Sequence, residues 1–156
     1  MANSTNLDRS DRKILFELQN DARITNTDLA DRIGLSATAT AERTKRLIRE
    51  GYIESFSAKL VPEKIGRGFL VFVEIKLDRT SAEVFDAFKH AVERSPDILE
   101  CHMVAGGFDY LIKSRVLDMD AYRRFLADVI LTLPGVRETH TYAVMEEIKD
   151  THVLPV

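Results

Sequence analysis

TDLADRIGLSATATAERTKRLIREG, residues 27–51, holds two short helical patterns on either side of a single glycine. In the first, Leu29, Ala30 and Ile33 form an apolar stripe behind a cap at Asn26 or Thr27. Gly34 stops it, since glycine enters the left-handed turn without steric penalty. Leu35 plugs the turn and Ser36 caps the next helix, which runs to about Glu50, with Gly51 as its stop. A wheel of about 100° per residue turns Thr40, Thr44, Leu47 and Ile48 inward. It turns Thr38, Glu42, Lys45 and Arg49 outward, with Arg46 on the flank and Arg43 nearer the core edge, in reach of either a helix or a phosphate.

Upstream, LDRSDRKILFELQNDAR (7–23) is amphipathic, with Ile14, Leu15, Leu18 and Ala22 at helical spacing and charges opposite. Three helices with short connections, the last presenting a polar and cationic face, form a helix-turn-helix. Such a helix enters a major groove by its N-terminal end. Ala37, Thr38 and Ala39 are small enough for close approach to base edges, and the positive end of the helix dipole favours phosphate. An ordinary helical hairpin with a solvated cationic face has the same periodicity, so both readings stand at this point. YIESFSAKLVPEKIG (52–66) follows as a strand or wing through Tyr52, Ile53, Phe56, Ala58 and Leu60. Pro62, Gly66 and Gly68 then interrupt regular structure and mark a domain boundary.

Composition limits what the chain can be. Its 156 residues, 45% hydrophobic and 30% charged, suit one ordinary soluble domain or two small ones. No stretch approaches the roughly 20 apolar residues of a membrane span, and the polar start, residues 1–6, is expected to be disordered. The single cysteine, Cys101, excludes an internal disulfide framework and suits a reducing cytoplasm. Net charge is −3, but residues 1–68 carry 12 Lys and Arg against 10 Asp and Glu, while residues 69–156 carry 10 against 15. Cations therefore concentrate around Arg43, Lys45, Arg46 and Arg49, and local charge is what a duplex meets.

The second half reads as β-α-β-β-α-β. FLVFVEIKL (69–77) alternates, its second face half apolar, which suggests helices on one side of a sheet and a partner on the other. SAEVFDAFKHAVER (81–94) is a helix capped by Ser81. ILECHMVA (98–105) and FDYLIKSRV (108–116) are strands joined at Gly106-Gly107 as a tight hairpin. DMDAYRRFLADVILTL (118–133) is a helix capped by Asp118, and VRETHTYAVM (136–145) a last strand. This order defines the ferredoxin-like sandwich. The fold class is thus α+β: a winged-type helix-turn-helix over 7–68 and a ferredoxin-like domain over 69–156.

A site-level clue sits in VAGGFDYLIK (104–113). Two glycines give backbone N–H groups room to meet a carboxylate, and Asp109 lies near enough to meet an ammonium group. A plain hairpin solvated by Asp109 explains the same residues. No Walker loop, GxSxG or HExxH is present, and no catalytic residue, metal site or cofactor is assigned. Glu100/His102 and Glu138/His140 each place two donors on one strand face, fewer than a metal usually takes. Cys101, between Leu99 and Met103, reads as a buried structural thiol.

The combination resembles the Lrp/AsnC, or feast/famine, family of bacterial and archaeal regulators. The resemblance runs from Leu7 to about Lys149, through LDRSDRKIL (7–15), LADRIGLSATATAERTKRLIREGYI (29–53), LVFVEIKL (70–77), ECHMVAGGFDYLIKSRV (100–116), DMDAYRRFL (118–126) and LPGVRETHTYAVMEEIK (133–149). It implies a cytoplasmic, nucleoid-associated activator or repressor of amino-acid metabolism that binds double-stranded DNA as homodimers assembling to octamers. The DNA-contacting candidates are Ser36, Thr38, Thr40, Glu42, Arg43, Lys45, Arg46 and Arg49. An amino-acid effector, leucine or proline, is implied between dimers, at Gly106, Gly107, Asp109 and Tyr110, with Met119, Leu131, Ala143 and Val144 at that site or its interface. Two positions depart from the family pattern: SATATAER lacks the proline often found at the start of the recognition helix, and Gly106-Gly107 stands in place of Gly-Asp. The rival expectation is an amino-acid sensor that regulates a partner enzyme through its front helices. With three phosphates neutralised per subunit, log affinity of a dimer would fall against log salt with a slope of about −5.

Overall fold

Asp8 opens the first helix with a reciprocal cap: its carboxylate takes the N–H of Asp11 at 2.8 Å, and the Asp11 carboxylate takes the N–H of Asp8 at 3.2 Å. In the computed structural model, which describes residues 7–79 and 81–156, helix α1 then runs Arg9–Asn20, α2 Asn26–Ile33 and α3 Ala37–Arg49. The expectation of disorder over residues 1–6 lies outside the described residues. The cap of α2 is Thr25, ahead of both expected residues, Asn26 and Thr27, because its hydroxyl is the one that reaches the Asp28 N–H. Gly34 has φ +76°, the left-handed turn that glycine enters freely. Ser36 caps α3 through the Ala39 N–H at 3.2 Å. Ile14, Leu15, Leu29, Ile33 and Leu47 form the core of this tri-helical unit. Ile48, expected inward, is 44% exposed; the inward stripe of α3 is narrower than the wheel drew it and is completed by Leu47.

Residues 53–61 pair with no strand among the described residues, so the strand reading of this segment has no ladder behind it there. A strand requires a neighbour to take its backbone groups, and Phe56 and Leu60 remain exposed.

The chain divides into two compact units, one reaching Lys59 and regained by Lys149–Val156, the other spanning Leu60–Ile148. This corrects the division at Gly68 in two ways. The second unit begins earlier, at Leu60, and the tail belongs to the helical unit. Gln19 brackets the tail backbone, accepting the Leu154 N–H at 2.7 Å and donating to the Leu154 carbonyl at 3.1 Å. Lys59 binds the Asp150 carbonyl at 2.8 Å and its carboxylate at 3.0 Å. Tail composition is polar and carries no periodicity, so nothing in its pattern announces that return.

The second unit contains β1 (Phe69–Leu77), α4 (Ala82–Glu93), β2 (Ile98–Met103), β3 (Tyr110–Val116), α5 (Met119–Asp128) and β4 (Val136–Ala143). The sheet is antiparallel in the order β2-β3-β1-β4, the ferredoxin-like arrangement. Val71, Val73, Ile75 and Leu77 face the helices and meet Phe88, Tyr122, Phe125 and Ile130 in one core. Ser81 precedes α4 without a side-chain capping bond, whereas Asp118 caps α5 through the Ala121 N–H at 2.8 Å. The other sheet face carries Phe72 beside Tyr142, Glu74 beside His140 and Lys76 beside Glu138.

Candidate nucleic-acid interface and ligand loop

The start of α3 is fixed from three sides. Ser36 caps it, the Asn26 amide of α2 donates to the Ala37 carbonyl at 2.8 Å, and Thr40 is fully buried with its hydroxyl on the Ser36 carbonyl at 3.0 Å. Thr40 therefore leaves the DNA-contacting set: its hydroxyl already serves the helix and no surface of it meets solvent. Ser36, Ala37, Thr38, Glu42, Lys45 and Arg49 are exposed. Lys45 lies 3.5 Å from Glu42, both about 70% exposed, a pairing of little energetic weight.

Arg43, for which the sequence leaves a helix or a phosphate contact open, contacts the start of α1, and so does Arg46, expected on the flank of the DNA-facing side. Arg43 Nη1 donates to Asp8 at 2.6 Å and to Asp11 at 2.9 Å, and Arg46 Nη2 donates to Asp11 at 2.6 Å. Asp11 is 1% exposed, so its charge is tolerated because two guanidiniums surround it. Removing one partner would leave the Asp11 charge less compensated, an effect moderated here because both arginines keep a third of their side chains in solvent. The Asp11 N–H and, next, the Arg43 guanidinium hold the Asp8 carboxyl below its usual value. Sequence reading missed Asp8, Asp11 and Asn26. The acid spacing Asp8-x-x-Asp11 and the arginine spacing Arg43-x-x-Arg46 were legible, but not their meeting across two helices.

At the other candidate site, β2 and β3 close through a loop at residues 105–108, with the Val104 N–H on the Asp109 carbonyl at 3.0 Å. Gly106 and Gly107 have no positive φ, and a Cβ on either would meet nothing within 4 Å. Neither backbone conformation nor crowding by the chain itself demands glycine at either place, so both positions face open space. Asp109 Oδ2 takes the Leu77 N–H at 2.7 Å and the Asp109 N–H binds the Ile75 carbonyl, so part of its capacity secures the loop to β1. Tyr110 is a correction. It is buried and stacked on Phe88 with ring centroids 4.4 Å apart, a core residue rather than an effector contact within this chain.

Register separates the remaining candidates. Tyr110 pairs with Ile75 and Val116 with Phe69, so β3 spans the sheet, about 20 Å. The glycine loop lies at the Ile75 end, as does Leu131, shortly before the Val136 that pairs with Leu77. Met119, just past Val116, and Ala143 and Val144, level with Val71 and Leu70, lie at the opposite end. Met119, Leu131 and Ala143 are exposed. One copy of the chain does not bring the eight residues together.

Beside the loop, on the open sheet face, Glu74, Lys76, Gly107, Phe108, Glu138 and His140 line a pocket of about 100 Å³. The members of each Glu/His pair lie beside one another: His102 is 3.2 Å from Glu100 and His140 is 3.9 Å from Glu138. Glu100 also takes the Lys113 ammonium at 2.8 Å. No group of three or more metal-ligating side chains occurs among the described residues. Cys101 packs against the core, and burial pushes its thiol up to about 11.

A helix-turn-helix with a presented third helix, joined to a ferredoxin-like domain with an unobstructed glycine loop, defines a regulator that couples a DNA-binding head to a ligand-binding domain. Comparison with known proteins gives the family. Residues 7–54 match a winged helix-turn-helix DNA-binding domain, and residues 70–154 match the Lrp/AsnC ligand binding domain. The chain belongs to the Lrp/AsnC family of transcriptional regulators. It is 51% identical over 150 residues to the leucine-responsive regulatory proteins of Klebsiella pneumoniae and Escherichia coli K12, covering 96% of this chain and 92% of each of those. Among solved structures it is similar to a Neisseria meningitidis transcriptional regulator in complex with L-methionine, at 34% identity, TM-score 0.91 and 96% of both chains. An AsnC family regulator from Agrobacterium tumefaciens has 35% identity, TM-score 0.91, and 96% and 97% coverage of the two chains. These relatives are transcriptional regulators, not enzymes, and this chain is likewise a DNA-binding transcriptional regulator with an amino-acid-binding domain. No described helix is long and apolar enough to cross a membrane.

Proposed function

We propose that the protein controls genes of amino-acid metabolism as a cytoplasmic, nucleoid-associated homodimer assembling to an octamer, with leucine or proline as effector. Each dimer offers two copies of α3 to successive major grooves. Ser36 and Thr38 at its N-terminal end approach bases, Glu42 lies along the same edge, and Lys45 and Arg49 hold phosphates. The observation that carries this is the exposure of Thr38, Lys45 and Arg49 on one side of a helix whose opposite side is buried through Thr40 and Leu47. The half-apolar open sheet face, with Phe72 and Tyr142 side by side, supports pairing of two copies there.

The effector binds where chains meet, because its candidate residues lie at both ends of the sheet. The N–H groups of the Gly106-Gly107 loop receive the carboxylate, and Asp109 helps receive the ammonium through the capacity that Leu77 leaves free. Met119, Leu131, Ala143 and Val144 come from adjoining copies. The effector shifts DNA binding by favouring one assembly over another, a coupling typically worth about 1–3 kcal/mol.

Fluorescence anisotropy against salt tests the DNA half. With Lys45 and Arg49 as the free phosphate contacts, a dimer has a slope of about −4 rather than −5; a slope near zero refutes direct binding. Thermal-shift screening against the twenty amino acids tests the sensing half. Gly107→Val is the informative variant, because the added side chain enters open space: it abolishes the shift caused by the effector and leaves effector-free DNA binding intact. A full shift in Gly107→Val removes the loop from the site. Asp109→Ala is less clean, since it also deprives the Leu77 N–H of its acceptor.

A further inference from the structure

We propose that Asp8 and Asp11 are internal counter-charges to α3 that hold Arg43 and Arg46 back from the phosphate backbone, and so limit how strongly the protein binds DNA irrespective of sequence. The inference rests on α3 being the helix that meets DNA.

Four charged groups converge at the junction of α1 and α3, two negative and two positive. Asp11 is 1% exposed and receives both guanidiniums, at 2.9 and 2.6 Å, while Asp8 receives Arg43 at 2.6 Å. The arginine side chains are 33% and 34% exposed, against 71% for Lys45. Arg46 also keeps its Nε buried without a hydrogen-bond partner. An unsatisfied N–H is costly, so the guanidinium is held in that pose by Asp11 rather than by the needs of its other donors. Swinging either arginine out to a phosphate would leave the buried Asp11 carboxylate with one guanidinium in place of two.

The consequence concerns the kind of binding and not only its strength. Non-specific affinity grows with the number of cations that displace counterions from the duplex. Base readout from the N-terminal end of α3 does not. Matching two arginines with two aspartates subtracts from the first and spares the second, which raises the ratio of specific to non-specific binding. A brace serving only to fasten α1 to α3 would affect folding stability and leave the salt response alone.

The test uses the full chain and a mixed-sequence duplex three helical turns long, with anisotropy titrations from about 50 to about 200 mM salt. Asp11→Asn keeps the side-chain shape and removes the charge. Asp8→Asn does the same at an exposed position, and asparagine caps a helix as well as aspartate, so it folds even where Asp11→Asn does not. The expected result for each folded variant is a steeper slope, by about 0.9 per engaged subunit. For two subunits that is an extra loss of about twelve-fold across the four-fold range of salt, with tighter binding at its low end. An unchanged or shallower slope in the folded variants overturns the proposal. A wild-type slope near zero would instead remove the DNA contact on which it rests, so the two failures are distinguishable.

Discussion

Thr38 and Thr40 stand two positions apart on α3 and have opposite fates: one hydroxyl faces solvent, the other is spent on the Ser36 carbonyl inside the fold. Thr38→Ala should therefore reduce sequence preference in competition gel shifts while leaving the urea unfolding midpoint unchanged. Thr40→Ala should cost about 1–2 kcal/mol of stability in the same unfolding experiment, from a lost buried hydrogen bond and methyl group. Cys101 gives a second contrast at this scale. With its thiol pushed up to about 11 by burial, little thiolate is present at neutral pH, so iodoacetamide should label the native protein slowly and the urea-unfolded protein fast. At single positions, the sequence located the exposed residues Thr38, Lys45 and Arg49 correctly, because a wheel measures direction. It assigned Arg46 to phosphate and left Arg43 open between a helix and a phosphate, because a wheel shows where a side chain points and not which charge waits there from another helix.

The elements were legible wherever local chemistry determines them. Gly34, Ser36 and Asp118 terminate or cap where their side chains dictate, and the alternation of β1 shows directly which face meets the helices. What escaped the sequence was pairing. Residues 53–61 have strand-like composition yet no ladder partner among the described residues, and a ladder is a relation between two segments. Element-scale energetics follow from burial. Leu47 is fully buried at the centre of the small tri-helical core, and Leu47→Ala should cost about 2–5 kcal/mol, read by denaturant unfolding of the helical unit. The β2–β3 pair supplies a pH dependence. The Lys113 ammonium holds the Glu100 carboxyl below its usual value; burial, next in size, opposes it, and His102 adds a smaller lowering. The stabilisation is thus fully present above the ordinary glutamate value and is lost as pH falls through the lower folded value. Glu100→Gln should flatten the acid limb of a stability-versus-pH curve and leave the neutral limb's shape unchanged; an acid limb as steep as in the wild type would show that the pair contributes nothing.

For the whole molecule, helix-turn-helix followed by β-α-β-β-α-β was readable from element order alone, and the family follows from it together with the matching relatives. The candidate effector site was readable only in part. The Gly106-Gly107 pair stands out in the sequence as a loop, whereas the wide separation of Met119, Ala143 and Val144 from it appears only once strand register is known. The return of Lys149–Val156 to the helical unit carries a consequence for engineering. The sensing domain is an insertion: the backbone leaves the head after Lys59 and re-enters it at Lys149, and the Lys59 side chain touches Asp150. Exchange of sensors between relatives should accordingly be made as a cassette, spliced at both junctions. A chimera joined only after Lys59 inherits a foreign tail, forfeits the Gln19 clasp on Leu154, and should melt at a lower temperature in its head than the doubly spliced version.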